Sequence, residues 1–131
     1  MNKRLQILET NVAELRKIKA EYSVADIRRD KTREWALRYG LLESIQIVID
    51  IACHIVVHHH LGNTETYAGC LRLLEQFDVI DEQLADDLTG MAGLRNILVH
   101  EYVAVDVDRL YSMLDELEGF TAFADAVSTH L

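Results

Sequence analysis

Proline is absent from this 131-residue chain and glycine occurs only six times, so little in it would interrupt a helix. Aromatic residues make up only 7 %, yet half of all residues are apolar and they recur in long periodic stretches. Together these features point to an all-α fold and away from sheet. Cysteine is scarce: Cys53 and Cys70 lie in separate apolar segments without paired spacing, and two reduced, buried thiols are expected. The amino terminus lacks the apolar core of a secretion signal, which favours a cytoplasmic location. The most hydrophobic run, residues 45–57, is broken by Gln46, Asp50 and His54, so no membrane span is expected.

Positive charge is also in short supply. A formal net charge of −9 is awkward for a nucleic-acid enzyme, because phosphate contacts normally come from clustered Lys and Arg. The distribution is uneven, however. Residues 1–38 hold ten of the thirteen cations against six acids, a local +4, whereas the remainder carries three against sixteen, or −13. This asymmetry is compatible with a basic groove beside an acidic body and equally with ordinary solvated surface. Tight nonspecific binding along DNA is disfavoured in both cases. The length suits one domain over residues 1–131 that builds its core without disulfides or structural metal.

Helix one is expected over residues 2–21, with Leu5, Leu8, Val12, Leu15 and Ile18 on one stripe. Ser23 and Asp26 form a capping box, flanked by Tyr22 and Ile27 as a staple, and open a second helix that runs to about residue 60 and bends at Gly40. That helix is apolar on two sides, since Ile47 and Ile51 lie outside its main apolar face, so it is central or sits at a subunit interface. Leu61-Gly62-Asn63 ends it by a left-handed turn. A short third helix spans residues 64–77, a fourth 82–103, and a fifth begins after Asp106. Gly90 and Gly93 inside the fourth cost about 1 kcal/mol each relative to alanine, which calls for another backbone approaching closely.

Residues 95–102, Arg-Asn-Ile-Leu-Val-His-Glu-Tyr, are the most informative segment. If the fourth helix continues through them, Asn96 and His100 share one face and Arg95 and Tyr102 the neighbouring one, beside an apolar stripe of Leu84, Leu88, Met91, Leu94 and Leu98. The octet resembles the signature of the HEPN superfamily, an arginine and a histidine separated by four to six residues; here the separation is four. The tyrosine two places later is the form found in HepT-like toxins of HepT/MntA toxin-antitoxin pairs. Similarity extends over residues 37–120 and includes Ala52-Cys53-His54-Ile55, residues 71–74, Tyr111, Leu114 and Leu117.

This resemblance implies an up-and-down bundle of about five helices that pairs into a homodimer. It further implies a metal-independent endoribonuclease, the toxin of a type VII pair acting on tRNA or mRNA, with no cofactor. His100 would be the general acid or base, Arg95 would stabilise phosphoryl charge, and Asn96 would orient one or the other. On an ideal helix Arg95 and His100 lie about 140° apart, which argues that two helices, one from each protomer, complete the cleft. Tyr102 would be the acceptor for AMP groups transferred by a cognate MntA-like minimal nucleotidyltransferase, and the added anion would block the RNA path.

Two other readings start from the same residues. A helix bearing Arg, Asn, His and Tyr can be a non-catalytic module for nucleotide or partner binding. His54 and His58, at i and i+4 with Asp50 one turn earlier, have metal-chelating spacing, although no complementary set lies on a second helix and no metal site is expected. Asp50 and His54 are instead candidates to border the cleft. A small nucleotidyltransferase gene next door would favour the toxin reading.

Overall fold

Leu5, Leu8, Val12 and Leu15 recur at steps of three and four, and all four are buried along one side of α1 (Lys3–Glu21). The computed structural model describes residues 2–131, and all regular structure among them is helical. The expected capping box is present: Asp26 accepts the Ser23 amide at 2.9 Å, and the Ser23 hydroxyl oxygen accepts the Asp26 amide at 3.2 Å. It opens a shorter helix than expected, because α2 (Val24–Arg29) stops after six residues and α3 (Lys31–His58) starts afresh. Asp30 causes the division. Its backbone is extended and its carboxylate receives the amides of Thr32 and Arg33 at 3.0 and 3.4 Å, so it caps a new helix.

Gly40 does not end or interrupt α3. A Cβ there would come within 3.2 Å of Leu15 Cδ2, so the missing side chain is what lets α1 approach α3. The chain continues through α4 (Tyr67–Gln76), α5 (Glu82–His100), α6 (Val107–Ser112) and α7 (Glu118–Val127), with short 3-10 turns at Tyr102–Ala104, Met113–Glu116 and Ser128–His130. The expected second and fifth helices each divide, which accounts for seven α-helices among the described residues rather than five.

Helix α3 is the centre of the bundle. It packs against α1, α4, α5 and α7, and its second apolar side is covered as well: Ile47 and Ile51 are both buried. The apolar excess read as a possible dimer face is therefore internal. Among the described residues α3 is also the one helix long and apolar enough to cross a membrane by length and composition, and 56 % of its most apolar part is buried inside the protein. The two cysteines do not remain separate thiols. Packing of α3 on α4 brings the Cys53 and Cys70 Cα atoms to 5.1 Å, within disulfide range, and the sulfurs are bonded. Sequence spacing gave no sign of this, because the pairing is set by helix packing.

The uneven charge also resolves on folding. Arg16 and Lys19 of α1 pair with Glu118 and Asp115 at 3.3 and 2.8 Å, and Arg28 of α2 pairs with Asp108. Much of the basic N-terminal segment thus faces the acidic C-terminal one across the surface. These pairs are exposed, worth about 0–1 kcal/mol each, so they orient elements more than they stabilise them.

The end of α3 differs from expectation in one residue. His60 is the residue whose left-handed conformation, with φ 53°, closes the helix, and Gly62 follows with a positive φ of 151°. The amide of Leu61 bonds the Val56 carbonyl at 3.0 Å and that of His60 bonds Val57 at 3.3 Å, a Schellman closure. A side chain at this position is strained where glycine is not. His60→Gly should accordingly raise unfolding stability by about 1 kcal/mol, a shift of a few degrees in melting midpoint, with unchanged far-UV dichroism. A lower midpoint would show that the imidazole contributes more than the strain costs.

Candidate active site

The octet is built on a packed helix, but it is not wholly helical. Asp81 caps α5 by accepting the Leu84 amide at 2.8 Å, and Leu88, Met91, Leu94 and Leu98 are buried as expected. The helix ends at His100. Glu101 leaves the helical region at φ −135° and ψ 47°, and Tyr102–Ala104 form a 3-10 turn. Arg95 and Tyr102 therefore do not stack on one helical face, a correction to the expectation above. Beyond Glu101 the chain is steered instead by Arg38 of α3, which donates to the carbonyls of Tyr102 and Val105 at 3.2 and 2.9 Å. Tyr102 itself stands 63 % exposed.

Arg95 is held from two sides. Its Nε donates to Gln46 Oε1 at 2.8 Å, and Gln46 in turn donates to Asp50 at 2.8 Å. A second guanidinium nitrogen donates to Asn96 at 3.2 Å, and the group lies 5.4 Å from the ring centroid of Tyr67 at the start of α4. This arrangement fixes an otherwise flexible cation, and its contacts Tyr67 and Asn96 also line, with Gly93, a groove of about 390 Å³ between α4 and α5. A guanidinium so placed keeps its remaining N–H groups free for an anionic oxygen.

Among the expected residues, Arg95, Asn96 and Asp50 are thus joined in one hydrogen-bonded line. His100 is exposed on the last turn of α5 and makes no hydrogen bond to Arg95 among the described residues. His54 is not drawn into the line. It is exposed and stacks on His58 at 5.6 Å between ring centroids, and no group of three or more metal-binding side chains converges among the described residues. Gln46, Tyr67 and Arg38 were missed by the reading of the sequence. Gln46 had a signal, as a polar residue inside an apolar run one turn before Asp50; Tyr67 and Arg38 had none.

Gly90 and Gly93 behave unexpectedly. A Cβ built on either meets nothing within 4 Å, so no backbone approaches them inside the protomer. Their cost to the helix has no internal compensation.

An all-helical bundle with arginine and histidine at this spacing, displayed at a helix end, is the architecture of the HEPN class. The family model described as ribonuclease HepT-like matches residues 8–127, and the chain belongs to that family. The mRNA nuclease HepT of Shewanella oneidensis is 32 % identical over 104 residues, covering 79 % of this chain and 78 % of that protein. The tRNA nuclease HepT of Aphanizomenon flos-aquae is 26 % identical over 87 residues, covering 66 % and 59 %. Among solved structures, a tri-AMPylated Shewanella oneidensis HEPN toxin in complex with MNT antitoxin superposes with a TM-score of 0.87 at 27 % identity, covering 98 % of this chain and 99 % of that one.

If Gln46 positions Arg95, its isosteric replacement should separate orientation from folding. Gln46→Leu removes both hydrogen bonds at similar volume and should lower RNA cleavage by roughly 10- to 100-fold, with the melting midpoint nearly unchanged. Equal loss of stability and activity would make Gln46 a packing residue only.

Proposed function

We propose that this HepT-like ribonuclease is the toxin of a type VII toxin-antitoxin pair in the cytoplasm. It cleaves RNA without a metal in a cleft shared by two protomers, and a cognate minimal nucleotidyltransferase silences it by adenylylating Tyr102. The observation that carries the reading is the Asp50–Gln46–Arg95–Asn96 line, which immobilises a guanidinium one and a half turns before an exposed histidine. Similarity to a toxin captured tri-AMPylated with its MNT antitoxin supports the control step.

In this reading the ribose 2′-oxygen attacks the adjacent phosphorus and the 5′-oxygen departs. His100 takes the proton from the 2′-hydroxyl or delivers one to the leaving oxygen, since an imidazole ring nitrogen can accept or donate a proton. Arg95 stabilises the charge that builds on the non-bridging oxygens. The products are a 2′,3′-cyclic phosphate and a 5′-hydroxyl. Asn96 holds Arg95 from the open side, and Asp50 acts through Gln46.

One protomer does not supply the whole constellation. Arg95 and His100 are five residues apart on a helix, about 140° around the axis and about 7.5 Å along it, so they diverge. A second copy of α5 laid across the exposed Gly93–Asn96–His100 side would bring one protomer's histidine toward its partner's arginine. It would also provide the close backbone that Gly90 and Gly93 lack.

Arg95→Ala and His100→Ala should each reduce cleavage at least about 100-fold with helical content intact, and the parent protein should cleave in excess chelator. Tyr102→Phe should retain cleavage but accept no adenylyl mass from the nucleotidyltransferase with ATP and magnesium. Full activity in both alanine variants would remove the octet from catalysis.

A different substitution addresses the pairing. Gly93→Leu has open space within the protomer and should not lower the melting midpoint of the isolated chain, yet it should weaken dimerisation in sedimentation and depress cleavage in step. A monomer that remains fully active would overturn the shared cleft.

A further inference from the structure

Trp35 is the one tryptophan of the chain, and it stands 60 % exposed on the first turns of α3. Nothing in the protomer covers an indole that a helix could have buried. It borders a trough of about 440 Å³ between the start of α3 and the turn after α5, whose walls include Arg28, Lys31, Arg38, Tyr102 and Val103. The lining gathers three of the thirteen cations of a chain of net charge −9, with Glu34 and Asp106 among them and Asp108 paired to Arg28 from beside it.

These cations are not equivalent. Arg38 is committed to the Tyr102 and Val105 carbonyls and shapes the trough. Arg28 pairs with Asp108 through exposed side chains, and Lys31, itself exposed, pairs with a Glu34 whose side chain is only 16 % exposed; contacts of such solvated cations are weak, and a phosphate can displace them. An open aromatic face beside exchangeable cations is how proteins hold a nucleotide without reading its sequence: the base stacks on the ring and the phosphate meets the charge.

We propose that this trough is a nucleotide subsite that takes one nucleoside monophosphate unit, with its base on Trp35 and its phosphate on Lys31 and Arg28. The inference rests on the ribonuclease reading and deepens it, because Tyr102 shares the trough. The same unit can come from a single-stranded RNA passing the cleft or from an adenylyl group esterified to the Tyr102 hydroxyl. Modification then inhibits by filling the subsite that RNA needs, in addition to its charge.

A single tryptophan makes emission a local reporter. His100→Ala protein, which leaves RNA intact, is titrated with a short single-stranded oligoribonucleotide, with AMP, and with ribose 5-phosphate as a control without a base. The first two should quench Trp35 and shield it from acrylamide, and ribose 5-phosphate should not. Trp35→Ala should weaken oligoribonucleotide binding about tenfold by anisotropy, and Trp35→Tyr should restore most of it. Protein adenylylated on Tyr102 should show quenched Trp35 emission before any ligand is added, which separates the two sources.

Oligoribonucleotide binding with Trp35 emission unchanged and Trp35→Ala affinity unaltered would overturn the subsite while the ribonuclease reading stands. Equal quenching by ribose 5-phosphate would overturn base stacking. A Trp35 response to AMP in a parent protein that never cleaves RNA would uphold the subsite and remove the ribonuclease reading.

Discussion

Helix α3 must bury the apolar run at its centre and still deliver polar groups to one line, and the rest of the molecule is arranged around that constraint. Ile45, Ile47, Val48, Ile49 and Ile51 are buried in nearly unbroken succession. Gln46 and Asp50 interrupt them one turn apart, each only partly buried and each hydrogen-bonded. A polar pair inside a core helix is tolerable only if its donors and acceptors are satisfied, since an unpaired buried group costs about 1–3 kcal/mol. Arg95 completes that requirement from α5. The same hydrogen bond therefore serves the packing of α3 and the orientation of the candidate catalytic arginine, which ties the site to the core rather than to a loop.

That coupling explains why the surface charges matter less than their number suggests. The ion pairs between α1 and the C-terminal segment and between α2 and α6 are exposed, and their individual contributions are small. The α1 pairs nevertheless engage Arg16 and Lys19, which leaves fewer cations free for phosphate contacts. Near the octet stand Arg95, held by Gln46 and Asn96, and the trough beside Tyr102. A toxin with few free cations gains little affinity from phosphate contacts alone, so stacking surfaces and a well-placed guanidinium become the more important means of holding RNA.

Much of this was legible in the chain itself. Periodicity located α1, the core side of α3 and the stripe of α5, and the Ser23–Asp26 capping box is seen as expected. The octet marked the candidate site because its arginine, asparagine, histidine and tyrosine fall within eight residues. What escaped was non-local. Gln46 and Arg38 reach the octet across 49 and 64 residues of sequence, and Cys53 meets Cys70 only because α4 folds back on α3. Asp30 was hidden for another reason: an aspartate within a long periodic stretch is as compatible with a solvated helix face as with a cap, and only the extended backbone distinguishes them.

The termination of α5 at His100 connects fold to control. Had the helix continued to Tyr102, the phenol would sit on a rigid cylinder two turns from Arg95, and a modifying enzyme would have to accommodate the whole bundle. On the 3-10 turn the hydroxyl projects from a short segment that leaves the helix at Glu101 and is anchored to α3 by two hydrogen bonds from Arg38. Such a segment is exposed enough to enter another enzyme's site yet fixed enough to return its cargo to one place. On the proposed reading, a nucleotide esterified to Tyr102 stays beside the trough bordered by Trp35 and Lys31, on the side of the molecule where Arg38 ties the turn to α3. A toxin regulated by covalent modification needs that combination, because an acceptor buried in the helix could not be reached and one on a free tail could not block the cleft.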